Sequence, residues 1–149
     1  MRPNNEPVNI LVAEDDPDDR LLIEDAFREA RVSNPITFVN DGVELMEYLQ
    51  RKGQFTDQSD GFMPGLILLD LNMPRMDGRE ALKEIKADPN LKRIPVIALT
   101  TSKEEEDIFR TYDLGASSFI SKPVSFDELV KTLSGVTEYW VQIVHLPQK

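Results

Sequence analysis

The chain has 149 residues, a net charge of −10 and no cysteine, which suits one domain with a sizeable core and excludes disulfides, thiol catalysis and Cys-based zinc sites. The acidic balance speaks against nucleic acid or an anionic lipid surface, both of which need clustered Lys and Arg; it either keeps the protein soluble or meets a basic partner patch. No apolar run approaches the roughly eighteen residues of a membrane span, and "MRPNNEPVN" has no signal-peptide pattern, so a cytoplasmic protein is expected.

Residues 1–7 read as a flexible tail. "VNILVA" (8–13) reads as a first strand, and it runs out into Glu14, Asp15 and Asp16. Asp16 then Pro17 is an N-cap with a first-turn proline, opening a helix with Leu21, Leu22, Ala26 and Phe27 on one face. "ITFVN" (36–40) is the second strand, and Asp41 with Glu44 has capping-box spacing for the next helix. "RKGQFTDQSDGFMPG" (51–65) is long for a helix-to-strand connection and reads as an exposed loop.

"LILLD" (66–70) is the third strand, ending abruptly on Asp70, and Asp77 with Glu80 starts a third helix. "IPVIALT" (94–100) ends on Thr100, with Ser102 and Glu105 starting a fourth helix. "SSFISK" (117–122) ends at Lys122-Pro123, with Ser125 and Glu128 starting a fifth. Three of these strands are nearly continuous in apolar residues, the pattern of strands covered on both faces. Five strand–helix units predict an α/β, doubly wound parallel sheet, for which the flavodoxin-like order 2-1-3-4-5 is one common winding.

The extension 134–149 includes "GVTEYWVQIVHLPQK". Leu129, Leu133, Val136, Trp140 and Ile143 keep 4-3-4-3 spacing, so the last helix is expected to run on despite Gly135. The tail either folds back onto its own domain or offers Tyr139, Trp140, Ile143 and Leu146 as an interface for a second copy or a partner. His145, the single histidine, reads as surface or interface.

In doubly wound sheets ligands bind beyond the carboxyl ends of the strands, at the switch point. If the first and third strands are neighbours, Glu14, Asp15 and Asp70 converge on one crevice. Carboxylates so close repel one another, and a hard divalent cation such as Mg2+ resolves the conflict. Lys122 adds a positive charge and Thr100 a hydroxyl donor at the same rim. An acceptor carboxylate, a metal, a lysine and a hydroxyl are the parts of phosphoryl transfer, with Asp70 as nucleophile. Taken singly, each has an ordinary explanation: a solvated helix start, a turn carboxylate, a surface lysine.

"ILVAEDD", "LILLDLNMPRMDG", "IPVIALT" followed by a polar residue, and "GASSFISKP" together resemble the receiver domain of two-component response regulators, over roughly residues 8–133. The resemblance implies Mg2+ dependence, with Mn2+ able to substitute, and transfer of a phosphoryl group from a kinase phosphohistidine. It makes Asp70 the phosphoacceptor, Asp15 a direct metal ligand, Glu14 a ligand through water, and Asn72 a ligand by its backbone carbonyl. Thr100 and Phe119 become the switch pair, Lys122 a phosphate contact, and Pro123 the residue after a cis peptide bond. Glu14 stands where Asp is commoner, and Phe119, which also reads as an ordinary core aromatic, lacks a tyrosine's hydroxyl.

The same resemblance implies a phosphoacceptor that catalyses only its own phosphorylation and dephosphorylation, rather than an enzyme acting on other substrates. After about residue 133 too few residues remain for a DNA-binding domain, so a stand-alone receiver is expected, signalling through a sensor histidine kinase and a downstream relay or effector protein, with a homodimer among the possible assemblies. The 51–65 loop and the "YW…LP" ending resemble the small response regulators of phytochrome-type histidine kinases. A haloacid-dehalogenase-type phosphatase would want an acid where Asn72 stands. A P-loop enzyme would need a motif that is absent, and a flavodoxin's flavin phosphate would meet repelling carboxylates. A pseudo-receiver acting only as a scaffold is the remaining alternative, though it would be expected to lack Asp70 or Lys122.

Overall fold

A computed structural model describes residues 9–32, 34–50, 64–71, 73, 76, 78–100, 118–121 and 125–137, with backbone alone at 100, 118–121, 136 and 137. The elements are β1 (Ile10–Ala13), α1 (Pro17–Glu29), β2 (Ile36–Val39), α2 (Gly42–Gln50), β3 (Leu66–Asp70), α3 (Gly78–Ala87), β4 (Val96–Thr100), β5 (Ser118–Ser121) and α4 (Phe126–Thr137). All strand pairs are parallel, in the order β2-β1-β3-β4-β5 expected for this alternation of elements. The helix expected to begin at Ser102, most of the 51–65 loop and the tail after 137 lie outside the described residues.

Strand alternation divides the core in two. Leu11, Ala13, Ile67, Leu69, Val96 and Ala98 face one side, where α2 and α3 bring Leu45, Leu49, Leu82 and Ile85. Ile10, Val12, Leu66, Leu68, Ile97 and Leu99 face the other, where α1 and α4 bring Ile23, Phe27, Leu129 and Leu133. Side chains of successive strand residues point to opposite faces, so a strand covered on both sides must be apolar throughout. "LILL" meets that demand up to Leu69, and the strand is buried along its whole length, Asp70 included.

The helix starts follow local chemistry. Asp16 has extended backbone, and its side chain accepts the Asp18 N–H at 2.9 Å, with Pro17 in the first turn. Asp41 accepts the Glu44 N–H at 2.8 Å. The reciprocal arm differs from a standard capping box, because Glu44 accepts from the Asn40 N–H at 2.9 Å, one residue earlier. Ser125 accepts the Glu128 N–H at 3.2 Å. Asp77 and its pairing with Glu80 lie outside the described residues.

Two expectations change. The inward face of α1 is Ile23, Ala26 and Phe27, with Leu22 half-buried, while Leu21 is 57% exposed. Ile23, Ala26 and Phe27 fall at i, i+3 and i+4, a single stripe that Leu21 does not join. Pro64 and Gly65, assigned to the exposed loop, are buried, and the Gly65 N–H donates to the Asn9 carbonyl at 2.9 Å. Gly135 does not end α4, which continues to Thr137.

Candidate metal centre

The site is set by the register of β1 and β3. Their last paired residues are Ala13 and Leu69, so Glu14 and Asp70 each come next on neighbouring parallel strands. The Glu14 N–H donates to the Val39 carbonyl at 3.0 Å, and the Leu71 N–H to the Leu99 carbonyl at 2.8 Å, which anchors the backbone on both sides. This is the point where the chain, having placed β2 on one side of β1, places β3 on the other.

Glu14 and Asp70 are buried at 0% and 3% exposure while Asp15 faces solvent, and one carboxylate oxygen from each lies within 4.8 Å of the others. Burying two carboxylates beside a third is costly unless their charge is met. Glu14 meets part of that cost locally, since its Oε2 accepts the Asp16 N–H at 3.2 Å. Asp16 itself turns away to cap α1. The three remaining carboxylates offer three hard oxygen ligands, fewer than an octahedral ion takes, which suits an ion that keeps several waters.

The loop after β3 folds back onto its origin. The Gly78 N–H donates to the Leu71 carbonyl at 3.1 Å, and a Cβ on Gly78 would strike the Asp70 carbonyl oxygen and lie 2.6 Å from Leu71 Cα. Only glycine permits this approach. Residue type and spacing alone do not mark Gly78 or Gly42 as special. The available signal was their shared position, each following an Asp at a helix start.

Thr100 ends β4 one residue beyond Leu99, which pairs with Asp70, and Thr100 pairs in turn with Ser121 of β5. Phe119 pairs with Ala98. The backbone thus places Thr100 at the carboxyl end of β4, while the side chains of Thr100 and Phe119 fall outside the description. Asn72, Lys122, Pro123, Tyr139, Trp140, Ile143 and Leu146 also lie outside the described residues.

Residues 10–134 match the family model for the response regulator receiver domain. The chain belongs to that family. The receiver is 38% identical over 144 residues to response regulator Rcp1 of Synechocystis sp., a match spanning 97% of this chain and 96% of Rcp1. The Mn(2+)-bound structure of Rcp1 has a TM-score of 0.82, at 38% identity over 95% of this chain and 99% of that one. The phosphorylated cyanobacterial phytochrome response regulator RcpA has a TM-score of 0.84, at 42% identity over 95% of this chain and 99% of that one. The receiver domain of sensor histidine kinase PA1611 from Pseudomonas aeruginosa PAO1, solved with a magnesium ion in its active-site cleft, has a TM-score of 0.68 at 28% identity, over 90% of this chain and 97% of that one. This receiver is therefore related to phytochrome response regulators, and phosphorylation-dependent signalling is the family's role. Among the described residues no helix is long and apolar enough to cross a membrane.

Proposed function

We propose that this receiver accepts a phosphoryl group on Asp70 from the phosphohistidine of a phytochrome-type sensor histidine kinase, and signals by the binding or relay that follows. The observation that carries this reading is the convergence of Glu14, Asp15 and Asp70 at the carboxyl ends of β1 and β3. Asp15 and Asp70 would hold Mg2+, with Glu14 acting through water and the backbone carbonyl of Asn72 as the remaining protein ligand, and Mn2+ would serve in its place. Bound there, the ion would supply neutralisation of charge on the phosphoryl oxygens.

An Asp70 oxygen attacks phosphorus, the P–N bond to the kinase imidazole breaks, and the imidazole nitrogen takes the electron pair and a proton. Lys122 contacts the phosphoryl oxygens as a point charge, and Thr100 donates its hydroxyl to one of them. Thr100 moving toward that oxygen leaves room for Phe119 to rotate inward, with Pro123 following a cis bond. The chain turns over no external substrate. Residues 8–133 form the receiver, 1–7 a tail and 134–149 an extension that either folds back onto the domain or offers Tyr139, Trp140, Ile143 and Leu146 to a second copy or partner, in the cytoplasm.

Phosphotransfer from an autophosphorylated phytochrome-type kinase tests this reading. Label is expected to leave the kinase for the receiver only when Mg2+ is present, and to stay on the kinase when Asp70→Asn is supplied. Label retained on the kinase with the wild type would favour a scaffold that needs no phosphorylation.

A further inference from the structure

Behind the acidic cluster lies a contact that its carboxylates do not explain. Gly42 opens α2, and a Cβ built on it would strike the Met76 carbonyl oxygen and lie 2.7 and 2.8 Å from Met76 Cβ and Cγ. Real Cβ atoms essentially never come so close, so α2 and the 71–78 loop meet along glycine's bare face. Met76 is half-buried and packs against the core shared by α2 and α3. A helix considered alone gains from alanine over glycine, so intrinsic propensity gives no reason for Gly42.

Both sides of the contact lead to the acids. On one side, buried Asp41 caps α2 through the Glu44 N–H at 2.8 Å, and the carbonyl of Val39, two residues earlier, accepts the Glu14 N–H at 3.0 Å. On the other, the loop departs from Asp70 and closes at Gly78, whose N–H reaches back to Leu71. At Met76 this loop meets α2, an element outside its own β3–α3 unit.

We infer that Gly42 and Met76 are positioning residues for the receiver's site: Met76 seated on Gly42 sets the loop after Asp70, and with it the spacing of Asp70 from Glu14 that a divalent cation requires. The inference rests on the phosphoacceptor reading above. Neither residue touches the ion. A Cβ at Gly42 forces either the loop or the start of α2 to retreat, and each retreat moves one of the two site acids, Asp70 or Glu14.

The test compares Gly42→Ala, Met76→Ala and Met76→Leu with the wild type. Gly135→Ala serves as a control, because a Cβ there meets nothing within 4 Å. Mg2+ affinity is measured by titration calorimetry, exchange of the Gly78 amide in metal-free protein by NMR, and adduct formation with acetyl phosphate by mass. Gly42→Ala is expected to weaken Mg2+ binding by about tenfold, as loss of a support behind metal ligands does, and to speed exchange at Gly78. Met76→Ala is expected to move both readouts the same way by less, with Met76→Leu restoring them and Gly135→Ala leaving them unchanged.

A folded Gly42→Ala with wild-type Mg2+ affinity and wild-type exchange at Gly78 overturns the inference, whatever its melting temperature. If Gly42→Ala does not fold, Met76→Ala against Met76→Leu decides by the same two readouts. A wild type that binds Mg2+ yet takes up no phosphoryl group overturns the acceptor reading instead, since affinity and exchange do not depend on it.

Discussion

Glu14 and Asp70 follow the Ala13–Leu69 rung of the β1–β3 ladder, each as the next residue of its strand, and both are buried. Parallel register makes their closeness a backbone property, fixed by the hydrogen bonds on either side rather than by side-chain choice. With Asp15 added, the metal-free receiver holds three mutually repelling carboxylates at its switch point.

Removing one of these charges should therefore stabilise the metal-free protein. Asp70→Asn is expected to raise stability in EDTA by about 1 kcal/mol, the scale of a close like-charge contact with water nearby. In millimolar Mg2+ the gap should narrow or reverse, because the wild type gains binding free energy that the variant lacks. Urea unfolding with and without Mg2+ measures both; equal metal-free stabilities would remove the repulsion argument.

Asp41 is a buried cap at the start of α2. Asp41→Ala leaves the Glu44 N–H without its side-chain partner and is expected to cost about 1–2 kcal/mol. Asp41→Asn keeps an acceptor oxygen and should recover most of that loss. Chemical denaturation of the two variants checks the order.

Lys86 closes the turn between α3 and β4, its Nζ donating to the Lys92 carbonyl at 3.0 Å and the Ile94 carbonyl at 2.9 Å. Partial burial lowers its pKa below the ordinary lysine value of 10.5. With the folded value below the unfolded one, the unfolded chain binds more protons between them, so the group's contribution to stability rises with pH across that window. Lys86→Met is expected to be less stable than the wild type, and the deficit should widen between pH 8 and about 10.5, the unfolded lysine value. Paired urea titrations at the two pH values report it; a deficit that shrinks toward alkaline pH would contradict the assignment.

The sheet was legible because its strands are covered on both faces. Leu66–Asp70 occupies the very span read from "LILLD", where Leu66 to Leu69 each meet apolar neighbours on the sheet faces. Strand ends were less so: β1 begins at Ile10 and β4 at Val96, since ladder pairing rather than apolar character decides where a strand starts. Leu21 looked like a core residue by type, yet the rotation of α1 is set by Ile23, Ala26 and Phe27. The Glu14–Asp15–Asp70 convergence followed from strand order alone. Gly42 and Gly78 did not, because the demand for a missing Cβ comes from a second segment arriving in space.

The decisive measurement is the intact mass of the receiver after incubation with acetyl phosphate and Mg2+, beside Asp70→Asn and an EDTA control. A gain of about 80 Da, one phosphoryl group, is expected for the wild type with Mg2+ and in neither control. No gain in the wild type, or a gain that persists in Asp70→Asn, would contradict Asp70 as the acceptor.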